Sequence, residues 1–188
     1  MTGAKKLTTT EIAVLGLIAW RELSGYELTR SIDNSVRYFW SPARSRVYEI
    51  LPRLLESGLA SARTSPGVRG PEKTLYRATR AGKAALRKWL NDPTEPEASR
   101  SPFLLKLFFG EHATPDRLRE LIDEYARDSE QLLDYLRAVE ERVGESDPYA
   151  LLTIRYGIHR AEATLRWADE ARATVAALEP QSDPGRRR

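Results

Sequence analysis

The sequence of residues 41–59, SPARSRVYEILPRLLESGL, decides the fold of the N-terminal half of the chain. Its apolar side chains recur every three or four residues, which predicts an amphipathic helix. Ser41 can cap this helix, and Pro42 suits its first turn, where a missing N–H costs nothing. Gly58 is placed to end the helix in a left-handed conformation. Pro52 lies inside the helix, and we expect a bend there because the apolar stripe continues past it.

Two helices are predicted before this segment. A Thr or Ser followed three residues later by Glu forms a capping box, and such boxes start at Thr8 and Ser24. The first helix is apolar on nearly all sides, so we expect it to be buried centrally. The second is short and should run over residues 25–34.

A hairpin and a further helix are predicted after residue 58. Two strand-like runs, 59–65 and 73–78, flank a loop rich in Gly and Pro. Thr79 then caps a helix over 80–90. Its packing face should contain Ala81, Ala85, Trp89 and Leu90. Three helices, a two-stranded wing and a fourth helix, in this order, form a winged helix-turn-helix.

The C-terminal half is predicted to be helical, so the protein as a whole should be mainly α. Long helices should open at Pro115 and Pro148, each about 45 Å long, and their short joint makes them an antiparallel hairpin. Their apolar side chains cover more surface than one hairpin can bury, so we expect a helical dimerisation domain and a homodimer. The expected boundaries are 1–92 for the winged helix, 93–101 for a linker, 102–180 for the dimerisation domain and 181–188 for a disordered tail.

The composition excludes several classes of protein. The chain has 188 residues, 41% of them hydrophobic and 30% charged, which is typical of a globular protein. It lacks cysteine, and therefore disulfides, thiolate metal sites and a Cys nucleophile. No apolar stretch approaches the length of a membrane span or a signal peptide, so we expect a cytoplasmic protein without a membrane partner. His159 and Glu162 offer too few ligands for a metal, and no catalytic motif is present. We therefore expect neither a cofactor nor an enzyme.

The charge is divided unevenly along the chain. Residues 1–90 hold 16 Lys and Arg against 7 Asp and Glu, whereas residues 91–188 hold 14 against 20. A basic winged helix next to an acidic half indicates that the first half binds double-stranded DNA and the second does not. The alternative is that these cations are ordinary solvated surface charges. The candidate DNA-binding residues are Ser41, Arg44, Ser45 and Arg46 at the helix start, with Arg63, Arg69, Lys73 and Arg77 on the hairpin.

Four groups of motifs follow one another in the chain. They are GYEL at 25–28, YEILPRLLESGL at 48–59, LYRATRAG at 75–82, and LLKLFFG at 104–110 with RYG at 155–157 and Trp167. Together they resemble the PadR-type transcriptional regulators, in the larger subfamily with a helical C-terminal dimerisation domain. Ala78, Leu55 and Pro52 depart from the family pattern, which bears on packing rather than on DNA contacts.

The resemblance implies a dimeric regulator, most simply a repressor that binds a near-palindromic operator with its two recognition helices about 34 Å apart. It also implies that Tyr48 faces the DNA with its hydroxyl on a phosphate, whereas the alternative is a core tyrosine. A small aromatic effector would release the DNA. Trp20, Trp89, Phe108 and Trp167 are the candidates to line its pocket at the dimer interface, or else they are plain core residues.

A function from another class remains open from the sequence alone. A winged helix that has lost DNA binding can serve as a protein-interaction module. The two functions differ in salt dependence, because phosphate contacts weaken steeply with added salt.

Overall fold

Helices make up most of the described chain, and they follow one another in the predicted order. The computed structural model describes residues 6–66, 72–94 and 100–178. The chain divides into two compact units, residues 1–96 and 97–188, which we call the N-unit and the C-unit. Among the described helices, none is long and apolar enough to span a membrane. The predicted tail over 181–188 lies outside the described residues.

The N-unit contains the predicted helices and hairpin. Both capping boxes are confirmed. The Thr8 hydroxyl accepts from the Glu11 N–H at the start of α1, and the Ser24 hydroxyl accepts from the Glu27 N–H at the start of α2. The elements are α1 (Thr9–Trp20), β1 (Leu23–Ser24), α2 (Gly25–Asn34), α3 (Arg44–Glu56), β2 (Ala60–Ser65), β3 (Lys73–Ala78) and α4 (Arg80–Asn91).

The start of α3 differs from the prediction. Ser41 is not its cap, because the helix begins at Arg44 and the preceding residue, Ala43, is extended and provides no side-chain hydrogen bond. The Ser41–Pro42 pair, which is a favourable start signal, is therefore not used, and the helix begins three residues after Ser41. The helix then runs through Pro52 without interruption. Gly58 follows it with a positive φ of 69°, as predicted.

The sheet has three strands, whereas the sequence predicted a two-stranded wing. β2 and β3, which we call the wing, pair antiparallel with Ala60 opposite Ala78. The additional strand is β1, which pairs with β3 through Leu23 opposite Tyr76. A two-residue strand carries no period-2 pattern, so only its tertiary pairing identifies it. β1 connects the wing directly to α2.

The core of the N-unit is formed around α1. Val14, Leu15 and Ile18 are fully buried and pack with apolar side chains of α2 and α3. The predicted packing face of α4 was partly wrong: Ala85 packs on this core together with Leu86, but Ala81, Trp89 and Leu90 are exposed. α4 approaches the rest of the N-unit closely at Gly82, where an added Cβ would lie 2.1 Å from the backbone oxygen of Leu59.

The C-unit is a long antiparallel helical hairpin, as predicted, and a short helix precedes it. Its elements are α5 (Pro102–Phe108), α6 (Pro115–Val143) and α7 (Pro148–Leu178), and 3₁₀ turns lie at Gly110–His112 and Gly144–Ser146. Thr114 caps α6 and Asp147 accepts two N–H groups at the start of α7. Ion pairs between the long helices include Arg172 Nε with Asp123 Oδ1 at 2.7 Å and Arg155 Nε with Glu140 Oε1 at 2.7 Å.

The spacing of apolar residues predicts a stripe along α6 that includes Tyr125, Leu132 and Val143, but none of these three is buried. Ala126 and Leu133, seven residues apart on one helix face, are buried instead, and Tyr125 is exposed. Tyr125 instead stacks on Phe103 of α5, with ring centroids 4.0 Å apart. In a helix of 3.6 residues per turn, neighbours such as 125 and 126 are about 100° apart and so can lie at opposite edges of one apolar stripe. The packing partner then decides which of them is buried.

Candidate nucleic-acid interface

The exposed start of α3 presents two guanidinium groups and a hydroxyl. Arg44, Ser45 and Arg46 are the first three residues of the helix and all are exposed, whereas Val47 turns into the core. With Ala43 in the capping position, no side chain satisfies the N–H groups of the first turn. A helix start that has no side-chain cap and is flanked by cations favours an anion. Ser41 is exposed just before this turn but outside the helix.

Each arginine of this turn is held by a carboxylate. Arg44 Nη2 lies 2.9 Å from Asp33 Oδ2 of α2, and Arg46 Nη1 lies 3.0 Å from Glu49 Oε2 one turn further along α3. The sequence did not predict these partners. Both pairs are exposed, and such pairs contribute at most about 1 kcal/mol. A DNA phosphate can therefore replace either carboxylate at small cost.

The strand register places three predicted cations on one face of the wing. Arg63 lies opposite Leu75 and Ser61 lies opposite Arg77, and directly opposed residues share a face. Because alternate residues of a strand also share a face, Lys73 and Arg77 lie on the same side as Arg63. We call these three residues the wing cations. Arg69, predicted to bind DNA from the tip of the hairpin, lies outside the described residues.

Two glutamates flank the wing cations. Glu22 accepts hydrogen bonds from the Arg63 guanidinium, one of them from Nε at 2.9 Å, and these bonds lower the pKa of Glu22 and raise the pKa of Arg63. Glu27 lies 3.3 Å from Lys73 Nζ, and its pKa is lowered first by the backbone N–H of Ser24 and then by the Ser24 hydroxyl and Lys73. These ion pairs connect the wing to the residue that precedes β1 and to α2.

Tyr48 is half exposed, with 51% of its surface accessible, so the alternative of a core tyrosine does not hold. Its ring lies against Gly25 at the start of α2. It lines a cleft of about 320 Å³ between α2, α3 and β3, together with Lys73 and Thr74. The sequence missed this contact because the two residues are distant in the chain and no local pattern connects them.

The predicted aromatic effector residues fall into different surroundings. Phe108 and Trp167 line one groove of the C-unit, about 630 Å³ in volume. Trp167 also contacts Phe103 edge to face, with centroids 5.7 Å apart, so it has a packing role as well. Trp89 lines a separate cavity of about 540 Å³ in the N-unit. Trp20 is 73% exposed at the end of α1.

Comparison with known proteins relates both units to transcriptional regulators. Residues 14–88 match the pattern of the "Transcriptional regulator PadR-like family", and residues 99–176 match "Virulence activator alpha C-term". The sequence is 29% identical over 148 residues to the negative transcriptional regulator PadR of Bacillus subtilis, covering 77% of this chain and 81% of that protein.

The fold is also similar to solved structures of Bacillus subtilis PadR. The crystal structure in complex with operator DNA superposes with a TM-score of 0.81 at 26% identity, covering 89% of this chain and 99% of that one. The complex with p-coumaric acid gives a TM-score of 0.77 at 25% identity, covering 90% and 99%. The winged helix-turn-helix with a helical C-terminal part, predicted from the sequence, is confirmed by this similarity.

Proposed function

Since the chain belongs to the PadR-like family of transcriptional regulators, we propose that it is a homodimeric repressor that binds a near-palindromic operator and is released by a small-molecule effector. The winged helix over 1–92 would bind DNA and the helical domain over 102–180 would form the dimer. Residues 93–101 would link the two domains, and a tail would follow over 181–188. Such a regulator acts in the cytoplasm, on the DNA itself.

The observation that carries this proposal is the arrangement of cations in the N-unit. Arg44 and Arg46 lie at an uncapped helix start, and the wing cations share one face of the hairpin. Arginine at the helix start can bind a backbone phosphate or read guanine in the major groove, and the wing cations suit the phosphate backbone. The similarity to a PadR structure in complex with operator DNA supports DNA binding by this chain.

Exposed apolar residues of the C-unit support the homodimer. Tyr149, Leu152 and Tyr156 of α7 are three, four and seven residues apart and all strongly exposed, so they form a stripe on one helix face. We call them the α7 stripe. Leu104, Leu105 and Phe108 of α5 are exposed as well. A second copy of the chain would cover such surfaces, and two-fold symmetry would place two α3 helices on one operator.

The groove lined by Phe108 and Trp167 supports a small aromatic effector. Its volume of about 630 Å³ suits a drug-sized molecule, and most of its lining is apolar. The relative that binds p-coumaric acid supports this class of ligand. An effector lowers DNA affinity only when it binds more tightly to a DNA-incompetent dimer than to the competent one.

Selection of duplexes from a random pool by the purified protein tests the DNA-binding function. We expect a near-palindromic sequence whose binding weakens steeply between 50 and about 200 mM salt. Arg44→Gln and Arg63→Gln should each weaken binding and reduce the salt slope by about 0.9, the value for one phosphate contact. Arg142→Gln, in the C-unit, removes the same charge and serves as the control. Recovery of no duplex at low salt would refute this function and favour a protein-interaction module.

Titration of the protein–duplex complex with p-coumaric acid and related aromatic acids tests the effector. We expect release of the duplex by at least one ligand, and a weaker response in Phe108→Ala. Phe39→Ala, which removes an exposed aromatic ring from the N-unit, is the matched control. Unchanged DNA affinity over a broad panel would contradict ligand control while leaving the DNA-binding function intact.

A further inference from the structure

Gly25 is the first residue of α2 and lies directly beneath the ring of Tyr48. An added Cβ would stand 2.5 Å from Tyr48 Cε1, 3.2 Å from Cδ1 and 3.4 Å from Cζ. The backbone at Gly25 has no positive φ, so its conformation alone does not require glycine. The space beneath the tyrosine ring is therefore the reason that a side chain is excluded at this position.

Two other helical glycines show how specific this contact is. An added Cβ at Gly16 would meet nothing within 4 Å, so this position tolerates alanine. At Gly82 it would meet the backbone oxygen of Leu59 at 2.1 Å, which the fold cannot avoid. At Gly25 the three nearest atoms all belong to the side chain of Tyr48. A half-exposed ring can rotate into solvent, so alanine at Gly25 displaces Tyr48 rather than the backbone.

In the position that Gly25 permits, the Tyr48 ring lies between the start of α3 and the wing. Tyr48 follows the exposed first turn of α3 and shares a cleft with Lys73 and Thr74 of the wing. Lys73 is itself held on this side by Glu27, 3.3 Å away. A tyrosine that lies across the start of α2 is thus held between the two cationic elements of the interface.

We propose that Gly25 is a positioning residue for DNA binding. It acts on DNA affinity through Tyr48 and not through a DNA contact of its own. Its missing side chain lets the Tyr48 ring lie across the start of α2, so that the hydroxyl donates to a backbone phosphate between α3 and the wing. This inference rests on the proposed DNA-binding function. Gly25 thereby becomes a determinant of DNA affinity, although it has neither a charge nor a side chain that can form a hydrogen bond.

A double-mutant cycle tests the inference, with the duplex selected by the wild-type chain as the probe. Gly25→Ala and Tyr48→Phe should each weaken binding about tenfold, as expected for a lost hydrogen bond to a charged group. In the Tyr48→Ala background, Gly25→Ala should change the affinity less than twofold. Gly16→Ala is the matched control and should leave binding unchanged.

Two further readouts separate positioning from a structural role. The melting temperature of Gly25→Ala should equal or exceed that of the wild type, because only an exposed ring moves. The salt slope should also stay unchanged, since a tyrosine hydroxyl displaces no counterion, whereas Arg44→Gln lowers it.

Three results would overturn the inference. The first is unaltered DNA affinity in Gly25→Ala. The second is a loss of affinity on Gly25→Ala that is as large in the Tyr48→Ala background as in the wild type, and the third is a melting temperature of Gly25→Ala that falls as far as that of Gly82→Ala. Each of these requires a wild-type chain that binds the duplex. A wild-type chain that binds no duplex instead refutes the proposed function, so the two failures are distinguishable.

Discussion

Removing the carboxylate of Asp33 should strengthen DNA binding. Asp33 Oδ2 lies 2.9 Å from Arg44 Nη2, and the Arg44 side chain is 76% exposed, against 30% for Asp33. A DNA phosphate that approaches the start of α3 therefore competes with this carboxylate for the guanidinium. Asp33→Asn removes the competitor and one negative charge from the surface that meets DNA.

The magnitude follows from the exposure of the pair. Exposed ion pairs contribute about 0.2–1 kcal/mol, so removing this competitor should tighten binding by up to about fivefold. Arg44→Gln should act in the opposite direction and lower the salt slope by about 0.9. In the Arg44→Gln background, Asp33→Asn should have a smaller effect, because the partner for which it competed is already gone.

Fluorescence anisotropy with a labelled duplex, between about 50 and 200 mM salt, measures both quantities. Glu56→Gln is the matched control, since it removes an equal charge from α3 twelve residues beyond Arg44. That is about 18 Å along the helix, further than the Debye length of about 10 Å. The reasoning is refuted when Asp33→Asn weakens binding, which would mean that Asp33 orients Arg44 rather than competing for it. Equal tightening in Glu56→Gln would refute it as well and indicate a general charge effect.

Other perturbations test the remaining contacts. Glu27→Gln should keep the capping hydrogen bonds and cost little stability, whereas Glu27→Ala should cost about 1 kcal/mol in urea unfolding, and equal losses would contradict a capping role. Gly82→Ala should destabilise the chain by more than about 3 kcal/mol in the same assay, with Gly16→Ala neutral or stabilising by up to about 1 kcal/mol. Leu152→Glu should convert the dimer into monomers in sedimentation velocity, and a persisting dimer would exclude the α7 stripe from the interface. The pKa values of Glu22 and Glu27 are lowered from 4.5 in the folded protein, so their ionised forms stabilise the fold above that pH. This stabilisation should be lost as the pH falls through the folded pKa values. Denaturant midpoints measured between pH 7 and 3 would show the loss.

Most of the fold was predictable because its signals are local. Capping boxes at Thr8 and Ser24, prolines at the first position of the long helices, and Gly58 after α3 each determine a boundary within a few residues. The strand β1 and the true start of α3 were not predictable in this way. β1 exists only through its pairing with β3, and α3 begins at Arg44 although Ser41 and Pro42 form a favourable local start signal.

The candidate site was predictable by residue type but not by partner. Charge segregation and motif order indicated Arg44, Arg46 and the cations of the wing as DNA-binding residues. Except for Glu49, which pairs with Arg46 within α3, the carboxylates that hold these cations belong to other parts of the chain, as with Asp33 of α2 and Glu22 before β1. Such pairs depend on how elements cross in space, and sequence spacing carries no record of that.

The sequence alone therefore determined the order of the elements, the division of charge between the two halves and the family to which they belong. Periodicity, caps and composition act over a few residues or over the whole chain, and both scales can be read without coordinates. Only the tertiary structure decided which cations are paired, that the wing cations share one face, and that Gly25 lies beneath Tyr48. These features arise where residues distant in the chain meet at van der Waals distance, and there the packing of the elements sets the geometry.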